Sequence, residues 1–145
     1  SQVEPDPRYR QAVYRAAQEL VRRQIRDFSN VLDDGRYTDT WATSGNGWMN
    51  EVLVEVYRQS VADGREDGPD YLRAITRSTR WLIQNIYSYE NSYHIPNPDR
   101  ARGGSIRNSV EEAVRTDAVC HGGNSLIGYW RILKDNIRFT IPETR

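Results

Sequence analysis

Lysine is nearly missing from this chain: Lys134 is the only one, and arginine supplies the rest of the positive charge. Basic and acidic residues stand at 20 each, so no net field draws the protein to nucleic acid or to an anionic membrane, and no nucleic-acid partner is expected. Cysteine is equally scarce. Cys120 alone excludes an internal disulfide and any metal site built on several thiolates, and it leaves the redox compartment open. No apolar run approaches the ~20 residues that a membrane-spanning helix requires, so no span is expected. Neither a signal peptide nor an initiator Met opens the sequence, which fits a processed product and leaves localisation open.

The residues that are present argue for a folded helical domain. The hydrophobic fraction is 37%, but four Trp, nine Tyr and two Phe supply the bulky apolar surface that a disordered chain lacks. At 145 residues one domain, 1–145, is expected. Asp6 reads as an N-cap and Pro7 as the first helical residue. Apolar residues from Tyr9 and Val13 through Leu20 and Ile25 to Phe28 then recur at helical spacing. Turn formers fill 30–46, with Trp41 as the expected anchor of that loop. A second helix is predicted from Trp48 to Ala62, a short turn over 63–68, and a third helix from Pro69 to Tyr87. A long loop broken by Pro96, Pro98, Gly103 and Gly104 follows, then a fourth helix over 110–133. Gly122 and Gly123 fall in its middle, where they either break the helix or admit a close neighbour. Ile137, Phe139 and Ile141 alternate as in a short extended tail. The expected architecture is all-α, two antiparallel helical hairpins with long loops at one end.

The run NPDRARGGSIRNS at 97–109, followed by RTDAVCH at 115–121 and preceded by the WLIQN and SGNGWMNEVLVEVY helices, resembles repeats of α/α-toroid proteins. That group contains six-hairpin glycosidases, polysaccharide lyases and epimerases, and terpene cyclases. The resemblance spans residues 70–133. It implies inner helices that end at a cavity lined by substrate-binding aromatics and carboxylates. A closed toroid needs more than two hairpins, so it also implies a fragment or partner subunit of a larger α/α assembly.

Asp117 and His121 stand four apart, a spacing that lets a carboxylate orient an imidazole as a general base, with Glu51 and Asp39 as further acid or base candidates. The competing reading is a buried polar pair that fixes the packing of the fourth helix, with Arg115 or Arg107 as its ion partner. Cys120 points about 100° away from His121 on a helix and reads as a small buried hydrophobe. Trp41, Trp48, Tyr89 and Tyr93, with Arg107 and Asn124 as polar neighbours, suit stacking on sugar rings, whereas Trp81 and Trp130 read as core. Gly103-Gly104 lacks the strand-then-helix frame of a phosphate loop. No ligand spacing calls for a metal, and no cofactor is implied. Two functions remain. One is a helical module of a larger carbohydrate-related protein that binds or processes a polysaccharide or other polar ligand. The other is a non-catalytic module that docks on a protein partner or on the remainder of a longer chain.

Overall fold

Residues 6–108 and 110–136 are described by a computed structural model, and the fold they make is all-α. The helices are α1 (Pro7–Arg22), α2 (Thr43–Ala62), α3 (Gly68–Gln84), the single turn α4 (Pro98–Ala101) and α5 (Thr116–Asn136). Helix α1 starts as its sequence indicates, with Pro7 in its first turn and the Asp6 carboxylate accepting from Arg8 N at 2.9 Å. It stops six residues short of Phe28. Beyond Arg22 the backbone closes a loop instead: Ile25 N donates to Arg36 O, Gly35 N to Ile25 O, and Thr38 N to Arg23 O. Gln24 seals that loop onto α3 by donating from Nε2 to Gly35 O at 3.0 Å and to Ala74 O at 2.8 Å. Gly35 has φ 101°, and a Cβ there would lie 2.3 Å from Arg77 O, so only glycine fits where the loop meets α3.

Helix α2 begins at Thr43, five residues before Trp48, although Gly45, Asn46 and Gly47 read as turn formers. Tertiary bonds outweigh their weak helix propensity. Thr43 N donates to Arg107 O at 2.8 Å, and its Oγ1 donates to Ile106 O, so the second long loop caps the helix. Asn46 accepts Tyr37 N at its Oδ1 and donates from Nδ2 to Thr40 O and Ala42 O. Helix α3 ends at Gln84 rather than Tyr87, because residues 85–87 pair with 103–106: Tyr87 N donates to Gly104 O, Gly103 N to Tyr87 O, and Ile106 N to Asn85 O. Bonds from Arg107 N to Ala113 O and from Arg115 N to Ser105 O pair 105–107 with 113–115, which delays α5 to Thr116. The Gly122-Gly123 pair leaves α5 unbroken.

Contacts set the helix directions. Gly47 meets Gly122, Asn50 meets Ser125 and Val54 meets Gly128, so α2 and α5 run parallel. Gln18 donates to Asp67 and Gln24 to Ala74 O, so α1 and α3 also run parallel, each opposed to its neighbours. Both long loops therefore gather at one end, as expected. Helices α2 and α3 form the middle of the bundle, with α1 on one side and α5 on the other. Tyr14, Ala17, Val21, Leu53, Tyr71, Ile75 and Ile132 join one core cluster. A polar layer crosses it: Asn50 Nδ2 donates to Thr79 Oγ1 at 3.1 Å and to Ser125 Oγ at 2.7 Å, all buried.

Three packing expectations change. Trp41 does not anchor its loop from within; it is exposed, and Tyr37, at 0% exposure, is the buried anchor. Burial holds the Tyr37 phenol well above its ordinary pKa, only partly offset by the neighbouring Ser78 hydroxyl. Trp81 is core, but Trp130 is 59% exposed because it lies about 140° round α5 from Ser125, which bonds Asn50 of α2. Cys120 is exposed rather than buried. The alternating tail of Ile137, Phe139 and Ile141 lies outside the described residues. Among the described residues, no helix is long and apolar enough to cross a membrane.

Candidate functional site

Close parallel packing of α2 against α5 creates the site. A Cβ at Gly47 would lie 2.8 Å from both Gly122 N and His121 C, and one at Gly128 would lie 2.9 Å from Val54 Cγ1. Glycine at these two positions lets the backbones approach, and the side chains flanking the seam then meet across it. His121 reaches over from α5, and its Nδ1 lies 2.8 Å from Glu51 Oε2 on α2. A carboxylate oxygen can only accept, so Nδ1 carries a proton and Nε2 is the free end of the ring. His121 is about one-third exposed and Glu51 less so, which leaves the pair reachable from solvent.

Asp117 is not the partner of His121. Its two oxygens accept from Arg115 Nε at 3.0 Å and Nη2 at 3.2 Å. Partial burial works against the Asp117 charge, but the Arg115 guanidinium and the Ser44 hydroxyl outweigh it and hold the carboxyl below its usual range. The expected i,i+4 pair is thus replaced by two contacts of separate partners, one of which crosses between helices. Asn124, one turn beyond Cys120, is exposed and points Nδ2 to Cys120 Sγ at 3.9 Å.

From Glu51 the surface continues into an open groove of about 660 Å³ between α1 and α2. Tyr9, Val13, Trp48 and Val52 provide its apolar lining, and Glu51, Glu55 and Gln59 its polar edge. Trp48 is 54% exposed. Tyr9 and Val13 share the helical spacing of the apolar residues of α1, yet both are exposed. Only Tyr14, Ala17 and Val21 of α1 are buried, since α1 rests on α2 and α3 along a stripe narrower than its apolar face. The excess of apolar positions over one stripe was the available sign that part of α1 serves a surface.

The other sequence candidates sit elsewhere. Asp39 is tied to Arg23 at 2.9 Å, beyond the end of α1. Arg107 pairs with Glu111 and serves α2 through its carbonyl. Tyr89 lies beneath the Arg102 guanidinium, and Tyr93 meets His94 edge-on at 5.4 Å, both in the second long loop. His94 in turn lies 3.2 Å from Glu112. Trp41 precedes α2 with Arg36 stacked on it. Glu51, Trp48, His121, Asp117 and Asn124 therefore share the α2/α5 surface, and Asp39, Trp41, Arg107, Tyr89 and Tyr93 do not. No cluster of three or more His, Cys, Asp or Glu suited to a metal ion occurs among the described residues.

Comparison with protein-family models, with curated proteins and with solved structures finds no match.

Proposed function

We propose that this chain is a helical module that binds a saccharide chain along the α1/α2/α5 face, within a larger carbohydrate-related protein. One observation carries the reading: an exposed tryptophan, a carboxylate-held imidazole and an amide gather on one solvent-facing surface instead of entering the core. Trp48 and Tyr9 offer ring faces to the C–H faces of a pyranose, while Glu51, Glu55, Gln59 and Asn124 offer partners to hydroxyls. His121 Nε2, turned free by the Glu51 bond, is positioned to take a proton from a bound hydroxyl, so processing as well as binding falls within the reading. The parallel pairing of α2 with α5 and of α1 with α3 supports the toroid-like part of the proposal, because stacked hairpins place alternate helices in parallel.

Titration with neutral oligosaccharides, followed by tryptophan fluorescence and calorimetry, tests it. Binding is expected to weaken at least about tenfold in Trp48→Ala, the loss of one stacking contact. Equal binding by the wild type and Trp48→Ala would overturn the site assignment.

A second reading has its own observation. Val119, Ile127 and Trp130 on α5, with Ile83 on α3, are all exposed. Such an apolar surface suits docking on a protein partner or on further helices of a longer chain.

A further inference from the structure

We propose that the cleft between α3, α5 and the 103–105 segment is a binding site for a small neutral aliphatic molecule that carries one hydroxyl or carbonyl group, of the size of a short-chain alcohol. The inference is independent of the saccharide reading, since no residue of α1 or α2 lines this cleft.

Gly122 and Gly123 mark it. Two glycines inside a helix weaken it relative to alanine, yet α5 runs unbroken across them. Crowding does not account for their missing side chains. A Cβ on Gly123 would have nothing within 4 Å. Gly122 is buried, and still a Cβ there would meet only Ser105 Oγ, at an ordinary contact distance of 4.0 Å. A buried helical position with room for a side chain faces open space. That space is a cleft of about 100 Å³, walled by Leu82 and Ile86 of α3 and by Val119 and Leu126 of α5. On its loop side Gly103 likewise has nothing within 4 Å of an added Cβ. Val119 is 41% exposed, so the cleft opens to solvent beside it.

The lining selects the ligand. None of its side chains is charged, so an ion entering the cleft would lose water without gaining a partner, and a neutral molecule is favoured. Ser105 supplies the one polar side chain of the lining and is 4% exposed. Its hydroxyl faces the glycine pair and makes no hydrogen bond among the described residues. A buried hydroxyl left unpaired is unfavourable, and this one can both donate and accept. A ligand hydroxyl or carbonyl satisfies it while the alkyl part covers the leucine, isoleucine and valine walls. At ~30 Å³ per water-sized group the cleft holds about three to four non-hydrogen atoms, which suits isopropanol and excludes a sugar ring.

Backbone amide shifts in proton–nitrogen correlation spectra of the full chain are followed as isopropanol, isobutyrate, cyclohexanol or xenon is added. Isopropanol is expected to give saturable shifts centred on Ser105, Val119, Gly122 and Gly123, with a Kd on the order of 10 mM, within the ceiling for so few atoms. Isobutyrate, with the same branched chain but a charge, and cyclohexanol, which is too large, should give none. Gly122→Ala places a methyl group in the cleft and should abolish binding while raising the melting temperature. Ser105→Ala should weaken isopropanol about tenfold, the scale of one hydrogen bond, and leave xenon, which needs only the apolar walls, unaffected. Trp48→Ala should change none of these titrations. Shifts in the wild type that rise linearly and spread over the surface, or shifts that persist in folded Gly122→Ala, would overturn the site. Equal isopropanol affinity in Ser105→Ala would overturn the assigned ligand class.

Discussion

Glycine substitutions separate the two uses of small residues in this bundle. At Gly47 an added Cβ would lie 2.8 Å from the backbone of α5, so Gly47→Ala forces two helices apart. The strain, about 1–3 kcal/mol, exceeds the ~1 kcal/mol that alanine gains over glycine in a helix, and net destabilisation is expected in urea melts. At Gly123 nothing lies within 4 Å of the added Cβ, so Gly123→Ala should stabilise by up to about 1 kcal/mol. A stabilised Gly47→Ala would mean that the α2/α5 seam is looser than described. The buried amide of Asn50 gives a third residue-level test. Asn50→Ala removes the donor shared by Thr79 and Ser125 and leaves both hydroxyls unpaired in the core, with an expected loss of about 2–4 kcal/mol by the same melts.

Helix α1 is held by its narrow buried stripe and, at the far end of the bundle, by two carboxylates. Asp63, at the α2 C-cap, accepts from Tyr14 Oη at 2.6 Å, from Arg10 at 3.1 Å and from Gln59 at 2.8 Å. Asp67, at the α3 N-cap, accepts from Arg65, Tyr71 and Gln18. The Arg65 bonds, against a smaller burial penalty, hold Asp67 down at about 2, and the Tyr14 hydroxyl chiefly depresses Asp63. Burial and the Asp63 bond push the Tyr14 phenol up to about 12, so it stays a donor at neutral pH. A carboxyl depressed on folding contributes stability that is present above its unfolded value of roughly 4 and is lost as pH falls through its folded value. The melting temperature should therefore drop between about pH 4 and pH 2. Asp67→Asn should flatten that drop while lowering the plateau at neutral pH. An unchanged acid limb in Asp67→Asn would show that the clasp does not couple α1 to the bundle.

At the scale of the whole molecule, the proposed saccharide face and the apolar α5 surface lead to separate measurements. If α5 docks on a partner or on more of the chain, Trp130→Ser with Ile127→Ser should reduce association in light scattering while leaving saccharide titrations unaltered. Association that persists in the double variant would place the contact elsewhere. Both surfaces depend on features of unequal legibility. The start of α1 at Pro7, the helical nature of all four long segments and the collection of loops at one end were readable, because capping residues and 3.6-residue periodicity act locally. The end of α2 at Ala62 was readable too, but four other helix boundaries were not. Phe28, Trp48, Tyr87 and Val110 lay at boundaries that moved, since these are set by hydrogen bonds outside the helices, such as Thr43 with Arg107 and Arg115 with Ser105.

The same division runs through the site. Residue types alone marked Glu51, Trp48, His121, Asp117 and Asn124, since a charged, imidazole or large aromatic group on a helix either needs a partner or faces solvent. Which partner each takes depended on the closeness of α2 to α5. The four-residue spacing made Asp117 the local choice for His121, but Gly47 and Gly122 bring Glu51 to 2.8 Å, and Arg115 engages Asp117 first. Composition and periodicity determined an all-α bundle without a net charge, because those depend on neighbours along the chain. Tertiary structure decided the Glu51 to His121 pairing, the exposure of Trp130 and the bracing of Trp41 by Arg36, because each depends on a distance between segments that no local pattern encodes.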